Sequence, residues 1–298
     1  MANFIANLAT RMRPIGVAII RSLPNVRGRG RLSYEINKAL LAAGAEPMAV
    51  AKMAAGHSLM LDTRNRSHCW ALFLGIYNDA FFNRLLEFLQ PGGVVLDVGA
   101  NIGFATVPFA ISAKQRGASV VAFEPFHHNA ELIRKNLRLN KVEETVTIIE
   151  VGLSSTPHEA ELLLGDDFKQ GANVGNAVVA EGDLYDAPNR VTIWLETLDG
   201  LWPTLGNPRI DIIKVDIEGH EDRFLEGAVK TLATFRPVIM MEVNRWFYQK
   251  RGLDFDTLIP SLMPSGYRIF SASLTEIKNL ADWNEDDVLF IPEEKMSR

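Results

Sequence analysis

Two patterns of apolar and polar positions alternate along this chain. Short, nearly continuous apolar runs occur at residues 94–98, 119–123, 146–151, 210–215 and 238–241. Runs of this length, bounded by Gly, Pro, Asp or Asn, read as strands buried on both faces. Stretches with apolar residues every three or four positions lie between several of them and read as helices. Residues 79–90 place Phe82, Leu85, Leu86 and Leu89 on one face, and Pro91-Gly92-Gly93 ends that helix. Residues 104–114 and 129–140 form the next two helices, the second with Leu132, Ile133, Asn136 and Leu139 spaced by threes and fours. Pro108 removes one donor early in the first, which predicts a late helix start or a kink. Strands separated by helices in this way predict right-handed crossovers and a parallel sheet.

The pattern differs on either side of this unit. Residues 32–43 read as a helix ended by Gly44, and residues 48–53 and 58–61 as a hairpin joined at Gly56-His57. From residue 160 to 195, short strands at 161–164, 177–179 and 191–195 predict an antiparallel insertion over the sheet. Residues 222–231 read as one helix, and residues 267–271 and 288–291 as a terminal hairpin with one strand running against the others. The fold class is α/β, Rossmann-like, with about seven mostly parallel strands and an antiparallel edge hairpin. Residues 1–75 form an accessory segment and residues 76–298 the main domain; no internal repeat or low-complexity linker interrupts them.

Composition narrows this picture only slightly. The 298 residues are 47% hydrophobic and 22% charged, ordinary for a globular chain long enough for one large core. The net charge of −5 disfavours a general nucleic-acid binder. A lone cysteine, Cys69, allows no internal disulfide and fits a reducing, cytoplasmic setting. The early apolar run at residues 15–20 is too short to span a membrane, and no cleavable secretory signal is evident. Residues 1–34 carry six arginines and no acid before Glu35. This reads first as a solvated or poorly ordered basic tail. A peripheral contact with an anionic surface, lipid-linked substrate or partner subunit, and an organelle transit peptide, remain open beside it.

Chemistry concentrates at Asp97-Val98-Gly99-Ala100-Asn101-Ile102-Gly103, where a buried strand meets a small-residue turn and a helix. Such a unit sets backbone amides and a helix N-terminus beside a ligand, and Gly99 and Gly103 let it come close. Asn101 stands where a dinucleotide fingerprint has its second glycine. An acid two residues before the first glycine suits a cationic cofactor better than a pyrophosphate, which points to S-adenosylmethionine rather than NAD. Glu124, followed by Pro125, ends the second strand near the place where doubly wound folds bind ribose hydroxyls. Asp216 and Glu242 end two further strands, so four acids share one rim. They repel one another unless a cation, a metal or a sulfonium–ammonium ligand offsets them; the alternative is that each caps a helix. No metal centre is expected: no spaced histidine cluster exists, and the adjacent His127 and His128 would point apart on a helix. His220 is a candidate general base, His68 a weaker one, and each is also an ordinary packed or capping histidine. Tyr77 and Asp79 are placed to fold over the cofactor as a lid, although packing alone also accounts for Tyr77.

These residues together resemble the FkbM family of class I S-adenosylmethionine-dependent methyltransferases. The matching pieces are residues 95–103, Ala122-Phe123-Glu124-Pro125 with Asn129, Glu196-Thr197-Leu198-Asp199, residues 213–221, and Gly227. The resemblance runs from about Gly75 to Glu242 and implies a seven-stranded sheet and methyl transfer to a hydroxyl, often on a sugar, lipid or secondary metabolite. By motif position it implies that Asp97, Gly99, Ala100, Asn101 and Gly103 hold the methionine end of the cofactor. Glu124 and Pro125 would lie at the ribose, Gly152 and Leu153 at the adenine, and Asp216 beside the methyl group and acceptor. Asp216, then His220, then Glu218 are the candidate catalytic bases. The family's Gly-x-Tyr/Trp-Glu reads Gly75-Ile76-Tyr77-Asn78 here, with Asp79 a candidate substitute for the missing carboxylate. Implied partners are a small-molecule or glycan- or lipid-linked hydroxyl substrate, without nucleic acid, and a homo-oligomer is compatible. The competing readings are a non-catalytic S-adenosylmethionine-binding module and a nicotinamide-dependent oxidoreductase.

Overall fold

The computed structural model describes residues 2–24, 28–164, 177–180, 189–284 and 287–296. The chain opens with helices α1 (Ala2–Ser22) and α2 (Arg29–Ala42), then strands β1 (Met48–Lys52) and β2 (Ser58–Asp62) and helix α3 (Arg66–Leu74). The expected solvated tail is therefore mostly helix. α1 packs on α2 and α3, burying Ala9 and Ile20. Its arginines do not all point to water. Arg13 is buried, and the Arg21 guanidinium donates to the carbonyls of Lys52 (2.9 Å), Leu72 (2.8 Å) and Phe73 (3.4 Å). A cation that satisfies three carbonyls joins helix to hairpin, a role that a count of charges does not show.

β1 and β2 pair antiparallel as expected, with Met48 opposite Asp62. Side-chain amides of helix α6, described below, hold this hairpin: Asn136 Oδ1 accepts from Met60 N (2.6 Å) and Asn140 Oδ1 from Ser58 N (2.9 Å). One apolar core runs from Ile20, Leu59 and Phe73 through Phe82 to Val95 and Ile102. The sequence reading had no helix at α3; residues 66–74 mix apolar and polar side chains without a clean stripe, because most of the helix is buried.

Next come α4 (Asp79–Leu86), β3 (Val94–Val98), α5 (Thr106–Gln115), β4 (Ser119–Phe123), α6 (His127–Asn140) and β5 (Val146–Ile149). α5 starts late, at Thr106, as Pro108 predicts: the proline falls in the first turn of the helix. The expected third strand, 146–151, stops at Ile149. The chain then crosses to a second, four-stranded sheet formed by β6 (Gly152–Leu153), β7 (His158–Leu164), β8 (Val178–Val179) and β9 (Asn189–Glu196), in the order β6-β9-β7-β8. β7 pairs antiparallel with β8 and β9, as expected of the insertion, and β6 joins β9 in parallel.

A short helix, α7 (Leu198–Leu201), leads to β10 (Ile210–Val215), α8 (Glu221–Glu226), α9 (Val229–Phe235), β11 (Val238–Glu242), α10 (Arg245–Lys250), α11 (Phe255–Leu262), β12 (Tyr267–Phe270) and β13 (Asp287–Pro292). The single helix expected over 222–231 is split into α8 and α9 at Gly227. A Cβ there would lie 2.0 Å from the Ser154 carbonyl oxygen, so the backbone of the β6 turn occupies the space of a side chain. Asp199 caps α9, accepting from Lys230 N and Thr231 N at 2.9 and 2.8 Å, which gives the Thr-Leu-Asp motif a structural role. The main sheet has the order β12-β13-β11-β10-β3-β4-β5, with β13 alone running against the other six strands. Strand succession reverses between β3 and β10, so a ligand crevice is expected beyond the carboxyl ends of those two strands.

Candidate cofactor and active site

A cavity of about 270 Å³ opens at that switch point. The turn after β3 forms one wall, but its amides are already engaged. Gly99 N and Ala100 N both donate to the Phe123 carbonyl (3.1 and 3.0 Å), and Asn101 N donates to Glu124 Oε2 at 2.7 Å. The amide cradle expected from the motif is thus tied to the end of β4. Gly99 itself, at φ +75°, is demanded by the protein: a Cβ would lie 2.0 Å from the Asp216 carbonyl oxygen. The missing side chain makes room for the Asp216 backbone just past β10, where the sequence alone gives that room to a ligand.

Glu124 sits in the wall, buried, accepting from Asn101 N on one oxygen and from Phe126 N (3.0 Å) on the other. Burial pushes its carboxyl up to about 7, opposed by those amides and by the Asn129 side chain. Two oxygens offer about four acceptor positions, so an acceptor site remains for a hydroxyl from the cavity.

Behind the turn lies an ion-paired group that the sequence reading did not identify. Lys214, the last residue but one of the buried strand β10, stands opposite Asp97 in the parallel β3–β10 register. Its Nζ lies 3.3 Å from Asp97 Oδ1 and 3.5 Å from Asp216 Oδ2, and donates to the Gly99 carbonyl at 2.8 Å. Thr106 Oγ1 donates to the other Asp97 oxygen at 2.6 Å. Burial disfavours the ammonium form of Lys214, but the charges of Asp216 and Asp97 outweigh it and raise its pKa. A lysine inside a strand buried along its whole length was the available signal, since buried charges need partners.

Asp216, Glu218 and Glu242 meet at the cavity mouth, each with an oxygen within 4.8 Å of the others. Burial first, then the neighbouring carboxylates, raises Glu218 and Glu242 well above the ordinary carboxylate range. Glu218 adopts φ +52°, and buried Glu221 anchors its loop by accepting from Ile217 N (3.3 Å), Gly219 N (3.2 Å) and the Tyr248 hydroxyl (2.8 Å). Tyr77 lines the same cavity and stacks on Phe104 at 3.9 Å between ring centroids. Its pKa is raised, mostly by burial and next by Asp216. His220 Nε2 is 3.0 Å from Ser154 Oγ, so one face of that candidate base meets a hydroxyl from the β6 turn.

Of the residues expected at the site, Gly99, Ala100, Asn101, Glu124, Pro125, Gly152, Leu153, Asp216, Glu218 and His220 line the cavity. Asp97 and Gly103 are not in its wall; Asp97 lies wholly buried behind it, on Lys214 and Thr106. Asp79 does not line it either. Asn78 does, and its side-chain amide donates to Asp287 Oδ2 at 2.9 Å. His68 is fully buried against the Phe104 ring at 5.5 Å, and burial lowers its pKa to about 4, which leaves the imidazole neutral. Phe104 and Lys214 were missed as lining residues.

These residues fit S-adenosylmethionine. A carboxylate in the wall matches a ribose hydroxyl, and the crowded acids at the mouth gain from a cationic sulfonium and ammonium nearby.

Curated relatives match about half of the chain. The hexuronic acid methyltransferase AglP of Haloferax volcanii is 31% identical over 52% of this chain and 58% of its own length. The methyltransferase sdnD of Sordaria araneosa is 26% identical over 51% of this chain and 67% of its own. This chain therefore spans little more than half of AglP. Among solved structures, the methyltransferase FkbM of Methylobacillus flagellatus aligns over 96% of this chain and 60% of its own, at 16% identity and a TM-score of 0.44. The model of the methyltransferase FkbM domain matches residues 97–269, from the Asp97 turn through β10 and β11 into β12. With that match over the larger part of its length, the chain belongs to the FkbM family of S-adenosylmethionine-dependent methyltransferases.

Proposed function

We propose that this methyltransferase acts on a hydroxyl of a sugar, lipid or secondary metabolite, free or carried on a glycan or lipid. The observation that carries this reading is the group of three carboxylates at the cavity mouth, Asp216, Glu218 and Glu242. A hydroxyl is a weak nucleophile, and a positioned base raises its rate of attack typically by about 10²–10⁴-fold. AglP's description as a hexuronic acid methyltransferase supports a sugar-like acceptor.

S-adenosylmethionine supplies the electrophilic methyl group on a sulfonium. The protein's part is binding, alignment and proton handling. Glu124 would hold the ribose, and Gly152 with Leu153, which line the same cavity, would border the adenine. Asp216, held 3.5 Å from Lys214 Nζ, would take the proton of the acceptor hydroxyl that receives the methyl group. Tyr77 stacked on Phe104 closes one side of the cavity to water. His220 and Glu218 are the next candidates to receive the proton.

The test begins with calorimetric titration by S-adenosylhomocysteine, S-adenosylmethionine and NAD, with Glu124→Ala as control. Release of S-adenosylhomocysteine is then followed over a panel of hydroxylated, carboxylated and amine acceptors. Micromolar binding of the first two ligands and turnover confined to hydroxyls are expected. Asp216→Asn should bind S-adenosylhomocysteine and lose most turnover. Near-normal turnover by that variant would remove the carboxylate from the mechanism, and turnover confined to amines would overturn the acceptor class.

A further inference from the structure

Helix α1 has two apolar faces, and the protein covers one. Ala9 and Ile20 turn inward with Arg13 against α2 and α3. On the outer side Ile5, Leu8, Met12, Ile15 and Ile19 follow one another at alternating three- and four-residue steps, which keeps them in one row along the helix. Phe4 extends the row and is 72% exposed; Ile15 and Ile19 are 56% and 54% exposed. The row is about 20 Å long at 1.5 Å rise per residue. Single exposed apolar residues are ordinary, but a continuous helical row of six marks a surface that meets something apolar.

Charge distinguishes the candidate occupants. The first acid of the chain is Glu35, and Arg11, Arg13, Arg21, Arg27, Arg29 and Arg31 precede it, in a chain whose net charge is −5. Arg11 is exposed on α1, one helical turn from both Leu8 and Ile15, at the edge of the row. A second copy docked row to row would bring the exposed Arg11 of each copy to the same seam. A bilayer with anionic headgroups accepts the apolar row at the acyl boundary and the exposed Arg11 and Arg31 among the phosphates. The described helices are not long and apolar enough to cross a membrane, so contact would be along the surface.

We propose that α1 is a peripheral membrane-docking helix, which lies on an anionic bilayer through Phe4, Ile5, Leu8, Met12, Ile15 and Ile19. α1 packs on α3, whose Ser67 lines the cofactor cavity, so docking would hold the cavity close to the bilayer surface.

The test is flotation of the full chain with vesicles of phosphatidylcholine alone and of phosphatidylcholine with one-third phosphatidylglycerol. Partition into the anionic vesicles should exceed that into the neutral ones by at least about tenfold, and should weaken in ~0.5 M salt. The double variant Leu8→Ser with Ile15→Ser should lose at least about tenfold of the binding. Both side chains are outside the core, so its thermal unfolding should match the parent's. Arg11→Gln with Arg31→Gln keeps the apolar row and should reduce the preference for anionic vesicles. Failure of the parent protein to float with anionic vesicles overturns the proposal. So does a parent dimer in size-exclusion light scattering that the serine variant splits while vesicle binding stays unchanged; the row would then be an interface between copies.

Discussion

Lys214→Met would leave the shape of β10 nearly intact while removing its charge. Lys214 is 5% exposed and Asp97 is fully buried, 3.3 Å from Nζ to Oδ1. At an effective dielectric of about 20, two unit charges at that distance attract by about 5 kcal/mol. Desolvation of the ammonium offsets part of this. The substitution, however, leaves Asp97 charged, buried and without its cation, a situation that typically destabilises by about 3–5 kcal/mol. Urea unfolding should therefore show a loss of that size, with an unchanged slope against denaturant. Asp97→Asn should also destabilise, because it leaves Lys214 with only the half-exposed Asp216. The double variant should recover at least about 2 kcal/mol relative to the sum of the single losses, since it leaves neither charge stranded. A loss below about 1 kcal/mol for Lys214→Met, or simple additivity in the cycle, would refute the reading of this group as a mutually dependent pair.

Three further outcomes follow from the geometry. Glu124 has a higher pKa folded, about 7, than its ordinary value of 4.5, so its contribution to stability is fully present below about 4.5 and is lost as pH rises through about 7. Glu124→Gln should flatten the fall in stability across that window, measured by denaturant unfolding at several pH values, and weaken S-adenosylhomocysteine binding in calorimetry. Gly99→Ala sets a methyl group 2.0 Å from the Asp216 carbonyl at φ +75° and should destabilise by at least about 2 kcal/mol, read as a lowered midpoint in thermal unfolding. Arg21→Ala removes the donors to Lys52, Leu72 and Phe73 and should destabilise by about 2 kcal/mol, with hydrogen exchange accelerated first at α1 and the hairpin.

Much of the architecture was legible because its signals are local. The apolar runs at β3, β4, β10 and β11 mark strands without reference to anything distant. Pro108 placed the late start of α5, and the strand-end acids Glu124 and Asp216 named two positions that line the cavity. The misses share a different origin. The basic residues of α1 read as solvated because charge was counted without the carbonyls that Arg21 reaches in another element. The break at Gly227 depends on the Ser154 carbonyl, and the tight position of Gly99 on the Asp216 carbonyl. Neither neighbour is near in sequence.

From its own pattern the sequence determined an α/β fold with a mostly parallel sheet, its edge hairpin, and the turn and strand ends that bear the family's motifs. These follow from periodicity, turn chemistry and residue type, which act over a few positions. Only the tertiary structure decided which of those residues face the cavity. Parallel register set Lys214 against Asp97 and drew Asp97 behind the wall, while the ends of β10 and β11 brought Asp216, Glu218 and Glu242 together at the mouth. Register and strand order couple residues far apart in the chain, and the free energy of a charge depends on which partners that packing supplies.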